Sequence, residues 1–263
     1  MYNFEIEKPA SVLDAVKALA GDEAQALGGG QTLIPTLKQR LASPATLVSL
    51  TGIADMNGIF TDRGGSVTLG GSTTHATVAS GVGSTYPALA ELASHIGDPA
   101  VRNRGTVGGS LANNDPSACY PAAALGSGAS IITNAREIEA DDFFQGMFTT
   151  ALEEGEIITK VHFPVPQKAN YQKFVQPASR FALVGVFVAK YADGVRVAIT
   201  GASNDGVFRW AEAEAALTAN FSTAALEGLS LSGGDMISDL HGTGAYRAHL
   251  CAVMTKRAVA AAA

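Results

Sequence analysis

The sequence predicts an α+β protein built in two parts that meet near residue 167. Three observations point there. Helix and strand signals alternate through the first half, prolines at 164 and 166 end a strand over 156–164, and three strand-like runs followed by three helical stretches make up the remainder. In the first part, SVLDAVKALA at 11–20 reads as a helix with Ser11 as its N-cap and Val12, Leu13, Val16 and Leu19 on one stripe. AQAL at 24–27 is a short buried strand feeding the glycines at 28–30, and Pro35 suits the first turn of the helix that follows. TLVSL at 46–50 and SVTLG at 66–70 are strands, whereas THATVAS and YPALAELASHI are helices. ASIITN and REIEA, at 129–134 and 136–140, form a hairpin through Asn134. In the second part YQKFV, FALVGVFVAKY and VRVAITGAS are strands, with ADG at 192–194 as a hairpin turn. Helices are expected at 209–218, 222–229 and 246–260, and the segment 105–116 is read as a loop.

Composition narrows the function classes. With 47% hydrophobic and 16% charged residues the chain is too apolar for disorder. A net charge of −6 and the lack of any Lys/Arg run argue against a nucleic-acid groove. The apolar runs are too short for a membrane span, and MYNFEIEKPA lacks the apolar segment of a signal peptide, so a cytoplasmic protein is expected. The two cysteines, Cys119 and Cys251, are too few for a metal or iron–sulfur ligand set. His241 and His249 have no supporting carboxylate pattern, so no metal site is expected. Redox chemistry in this chain would therefore use a bound organic cofactor.

Glycine is frequent, with 29 residues in clusters and no fixed-period repeat. Two clusters are the candidate binding elements. GGGQTLIP at 28–35 joins a strand to a helix start, where unpaired N–H groups and the helix dipole favour an anion. Gly28, Gly29 and Gly30 permit close approach of a phosphate, with Gln31 and Thr32 as further donors. RNRGTVGGSLANNDP at 102–116 supplies Gly105, Gly108 and Gly109, then Ser110, Asn113, Asn114 and Asp115 as hydrogen-bonding groups, with Arg102 and Arg104 upstream to offset charge. The ordinary alternatives are a tight turn and a polar surface loop. Two nearly uncharged glycine loops suit a diphosphate flanked by a polyol. Neither GxxxxGK[ST] nor GxGxxG occurs, which excludes the usual nucleotide motifs, and GxSxG is absent as well.

The two glycine stretches resemble the paired FAD-binding signatures of the medium, flavin-carrying subunit of molybdenum-containing hydroxylases, a family that includes carbon monoxide dehydrogenase and xanthine-dehydrogenase-like enzymes. GSTTH at 71–75, REIEADDFFQGMFTTALEEGEIITKVHFP at 136–164 and YRAHLCAVMTKRAV at 246–259 extend the likeness over nearly the whole chain. The resemblance implies a two-part α/β FAD-binding domain of the vanillyl-alcohol-oxidase (PCMH) type, over 1–167 with subdomains of about 1–55 and 56–167. It also implies a C-terminal α+β domain over 168–263, like that of the CO dehydrogenase flavoprotein. Noncovalent FAD is expected, with Gly29, Gly30, Gln31, Thr32 and Leu33 along its pyrophosphate and Thr106, Gly108, Gly109 and Ser110 facing it from the second loop. Ile158 would border the flavin, and Lys173 lies in a region that supplies a cofactor contact in relatives. One departure stands out: where relatives often read DPAAD this chain has DPSAC, so Cys119 replaces an acidic cofactor contact that Asn114 or Asp115 would take over.

By the same resemblance the role is electron transfer, with no catalytic residue in this chain. A large subunit would hold the molybdenum cofactor and a small one two 2Fe–2S clusters, assembled as a dimer of heterotrimers. Two rivals are a self-sufficient FAD oxidoreductase, for which the remainder after 167 is small, and a cofactor-free binding module, against which the intact glycines argue. The other conspicuous residues have structural readings: Cys119 as a small buried group, His75 as a packing or capping histidine with an FAD contact as the alternative, Asp141 and Asp142 as helix-start acids, and Trp210 as packing.

Overall fold

The computed structural model describes residues 1–262 other than Arg63 and Ser179. Three larger sheets follow one another along the chain. The first is parallel, with Thr46–Ser49 between Glu5–Glu7 and Ala24–Leu27. Parallel neighbours need crossovers, and the helices Val12–Leu19 and Leu33–Lys38 supply them. Ser11 caps the former as expected, its hydroxyl accepting from the Asp14 N–H at 3.1 Å. Ala15, Val48, Leu50, Ile53 and Met56 pack beneath this sheet together with Ile157 from far along the chain.

The second sheet is antiparallel and five-stranded. Ile158–Phe163 lies at its centre, flanked by Val67–Gly70 and Ser130–Thr133, with Ile59–Thr61 and Glu137–Glu139 at the edges. The hairpin expected around Asn134 forms, pairing Ile131 with Ile138, and the Asn134 side-chain oxygen accepts from the Ile157 N–H. Between Val67–Gly70 and Ser130–Thr133 the chain inserts the helices His75–Gly81, Pro87–Ser94, Pro99–Arg102, Val107–Asn113 and Cys119–Ser127. Apolar side chains of all of these but Pro99–Arg102, with Val161 and Phe163 of the central strand, make the largest core cluster.

The third sheet is an antiparallel meander, Lys168–Lys173, Gly185–Lys190, Val195–Ser203 and Gly206–Arg209. Tyr171, Phe187, Ala189 and Ala198 pack into the large core, whereas Val186, Val188, Val197 and Ile199 pack with Leu217, Cys251 and Met254 of the helices Ala211–Ala219 and Gly244–Ala261. Burial on both faces explains why GVFVA reads as an unbroken apolar run. The interface is fastened by Arg196, which donates to the Leu125 carbonyl and pairs with Asp141, the acid that also pairs with Arg209.

Several expectations need correction. The segment 105–116 is not a loop: Val107–Asn113 is helical, and the Thr106 hydroxyl caps it by accepting from the Gly109 N–H. The helix Cys119–Ser127 went unpredicted because all nine of its residues are buried, which removes any amphipathic period. The strand Gly206–Arg209 was not expected, and the helix expected at 222–229 is a 3₁₀ turn, Thr223–Leu226, after which Gly228 takes a positive φ. Among the described residues, no helix is long and apolar enough to cross a membrane.

Candidate functional site

A cleft of about 790 Å³ opens where the first sheet, the helix Val107–Asn113 and the edge of the third sheet meet. The strand Ala24–Leu27 delivers the chain into Gly28–Gly30, and Gly30 adopts φ +70°, a left-handed conformation that suits glycine. The Ile34 N–H then donates to the Gly30 carbonyl and starts the short helix Leu33–Lys38, whose N-cap Thr32 gives no side-chain cap. Among the described residues, none of the N–H groups of Gly29, Gly30, Gln31, Thr32 and Leu33 has an internal acceptor. Five consecutive donors thus have no partner within the fold; those of Gly29, Gly30 and Leu33 belong to half-buried residues, and those of Gln31 and Thr32 to exposed ones at the helix start.

The glycine side of this turn has a second use that the sequence did not reveal. A Cβ on Gly29 would overlap the Arg104 carbonyl and sit 2.6 Å from the Gly105 Cα, and one on Gly28 would sit 2.9 Å from the Thr106 hydroxyl. The two glycine stretches therefore press directly against each other. The bare backbone at Gly28 and Gly29 admits the second turn, a use additional to the expected close approach of a phosphate. Gly108 is likewise held against Gly71, its N–H donating to the Gly71 carbonyl at 2.8 Å. With Gly109 spent on Thr106 and Ser110 on the Thr106 carbonyl, the N–H groups of the second stretch are largely used internally. The Ser110 hydroxyl and the Asn113 side chain have no internal partner among the described residues, and both residues line the cleft.

The other expected residues fall into place around these turns. Ile158 is buried in the cleft floor beside Ile157, and Asp115 and Cys119 line the wall beyond the helix Val107–Asn113. Lys173 reaches the cleft from the third sheet, its ammonium donating to the His95 carbonyl at 2.7 Å. Asn114 is the exception. It lies behind the wall, 1% exposed, with its side-chain amide donating to the carbonyls of Gly146 and Thr149, both at 2.8 Å. Committed in this way, it does not line the cleft; its neighbour Asn113 does. Arg102 turns to the carbonyls of Ile96 and Gly97.

Three lining residues carry distinct electrostatics. His75 is 4% exposed, packs its ring 5.2 Å from that of Tyr120, and leaves Nδ1 without a partner among the described residues. Burial, with a smaller push from Arg102, lowers its pKa to about 4, so it is neutral at pH 7. Burial raises the Asp115 carboxyl, against the opposing Ser117 N–H. Glu156 is held at about 2, chiefly by Arg136 and then by the Thr133 hydroxyl and the Glu153 N–H, which knots the turn beneath the floor. Glu156 was missed as a cleft residue because nothing local in EEGEI signals that the fold brings it there, whereas His75 both packs against Tyr120, the favoured expectation, and lines the cleft. Cys119 is a buried free thiol at the start of a helix, as its residue type suggested. Among the described residues, no cluster of three or more His, Cys, Asp or Glu could hold a metal ion.

With this geometry established, comparison with known proteins is specific. The sequence pattern of the FAD binding domain in molybdopterin dehydrogenase matches residues 2–166. The chain is 34% identical to the carbon monoxide dehydrogenase medium chain of Afipia carboxidovorans, covering 98% of this chain and 96% of that one. It is also 34% identical to the nicotine 6-hydroxylase medium subunit of Paenarthrobacter nicotinovorans, covering 95% and 94% of the two chains. Among solved structures, reconstituted CO dehydrogenase from Oligotropha carboxidovorans superposes with a TM-score of 0.89 at 31% identity, over 98% of this chain and 97% of that one. The protein therefore belongs to the family of FAD-binding medium subunits of molybdenum hydroxylases and is an oxidoreductase component whose cofactor is FAD.

Proposed function

We propose that this chain holds FAD in the described cleft and passes electrons, received from iron–sulfur clusters of a small partner subunit, to an acceptor outside the complex. The observation that supports this reading is the row of five free N–H groups from Gly29 to Leu33 at an uncapped helix start, facing a cleft of about 790 Å³. That volume falls within the roughly 300–1,000 Å³ of small-molecule sites. A diphosphate is the group that such a row of donors fits. Gly29 to Leu33 would hold the pyrophosphate, the Ser110 hydroxyl would add a side-chain contact, and Thr106, Gly108 and Gly109 would shape the facing wall. Asp115 is placed to accept from a polyol hydroxyl. Ile158 and Ile157 would border the flavin and keep water from one side of it, and Lys173 would close the cleft from the third sheet. Bound FAD supplies redox chemistry in one- or two-electron steps, and the protein supplies position and electrostatics.

The substrate would be oxidised elsewhere, at the molybdenum cofactor of a large partner subunit. Two copies of the three-subunit unit would form the complete enzyme, in the cytoplasm. The test is anaerobic reduction of the purified complex by its substrate, with wild-type chain and with a flavin-free variant of the Gly29 turn. The proposal expects the flavin-free complex to bleach its iron–sulfur absorbance while losing turnover with the external acceptor. Unimpaired turnover without flavin would refute the electron path. Substrate oxidation by the isolated chain would favour a self-sufficient oxidoreductase.

A further inference from the structure

Asn114 is the first residue beyond the helix that lines the cleft, and three features distinguish it. Its backbone is left-handed, φ +41°, unusual for a residue other than glycine. It is almost fully buried, yet its side chain bonds only to a distant segment: the amide donates to the carbonyls of Gly146 and Thr149, while the Phe148 N–H donates to the Asn114 carbonyl at 3.1 Å. The segment it grips is a hairpin tip with backbone outliers of its own, Gly146 at φ +135° and Phe148 at φ +55°. Asn113 and Asp115, on either side, both line the cleft, so the two peptide planes that meet at Asn114 set the direction of both side chains.

We infer that Asn114 is a positioning residue for the cofactor site, acting through the Gly146–Thr149 hairpin tip without touching the cofactor. The inference rests on the reading of the cleft as the FAD site. The left-handed turn directs the chain from Asn113 into Asp115, and the amide holds that turn against the hairpin. Loss of the amide leaves two carbonyls without their donor and frees the turn to relax. Two neighbouring cleft groups then lose their direction together.

The experiment is an FAD titration of the full apo-chain, paired with thermal unfolding of apo and FAD-bound protein. Asn114→Gly keeps the left-handed backbone and removes the amide, so it isolates the clamp and is the variant expected to fold. Its dissociation constant for FAD should rise about tenfold, and that of Asn114→Ala, which also strains the backbone, should rise further. Gly146→Ala approaches the clamp from the other side: its Cβ meets nothing within 4 Å, but φ +135° suits no alanine, so the acceptor carbonyl moves. It should weaken FAD binding although residue 146 lies outside the cleft. The double variant Asn114→Gly with Gly146→Ala should be no worse than the poorer single one, because both break one clamp. A purely structural Asn114 would instead lower the melting temperature of apo and bound protein equally and leave the dissociation constant within twofold of wild type. That result, or simple addition in the double variant, overturns the inference. Failure of the wild-type chain to bind FAD overturns the reading beneath it and is seen separately.

Discussion

Gly29→Ala is the substitution whose effect can be worked most directly from the contacts. Its Cβ overlaps the Arg104 carbonyl and stands 2.6 Å from the Gly105 Cα, where ordinary contact begins at 3.4 Å. Both obstacles are backbone, so no rotamer change relieves them. The second turn must retreat by more than about 1 Å, a shift of the kind that overpacking makes at a cost of about 1–3 kcal/mol. If the cofactor needs both turns in place, a cost of this size weakens FAD by roughly 5- to 150-fold. The assay is quenching of FAD fluorescence on titration with apo-chain, with Gly52→Ala as control, since a Cβ there meets nothing within 4 Å. Wild-type affinity and wild-type melting temperature for Gly29→Ala would refute both the turn-to-turn packing and its link to the cofactor.

Other predictions follow from the same cleft. Gly30→Val should abolish flavin binding through its φ of +70° and a clash with Ile34, whereas Gly109→Ala first meets the Thr106 hydroxyl at 2.8 Å, a side-chain atom that can move at the expense of the helix cap, and should weaken binding less; equal losses in FAD content would contradict this ranking. His75 has its folded-state pKa lowered to about 4 from 6.5, so the unfolded chain binds the extra proton between those values. Stability should therefore fall as pH drops from 6.5 towards 4, by up to about 3 kcal/mol, and His75→Gln should flatten that slope in urea denaturation at each pH. Cys119→Ala should leave FAD affinity within about twofold, as expected of a small buried group; a tenfold loss would show that the thiol contacts the cofactor.

How far the sequence revealed the site depended on whether the signal was local. The turn after AQAL was legible because three glycines, a strand and a helix start lie side by side, and its consequence, a run of unpaired N–H groups, follows from backbone alone. The helix Val107–Asn113 was hidden by its two glycines, which lower helix propensity but are needed where Gly108 meets Gly71. Asn114 was read as a ligand because Asn, Asn and Asp stand together, and only the fold shows that the middle one turns inward to a hairpin more than thirty residues away. The strand Glu5–Glu7 escaped notice because all three residues are exposed and give no apolar alternation. Glu156 reaches the cleft through tertiary packing, to which no short motif gives access.

The central claim is that the cleft between the two glycine turns holds FAD. Its most direct test is to purify the full chain, release any pigment with denaturant, and identify and count it against protein, repeating the measurement after incubating apo-chain with FAD. The account predicts one noncovalently bound FAD per chain for wild type and a strongly reduced content for Gly29→Ala and Gly30→Val. A folded wild-type chain that carries no flavin and takes up none when FAD is added would contradict it.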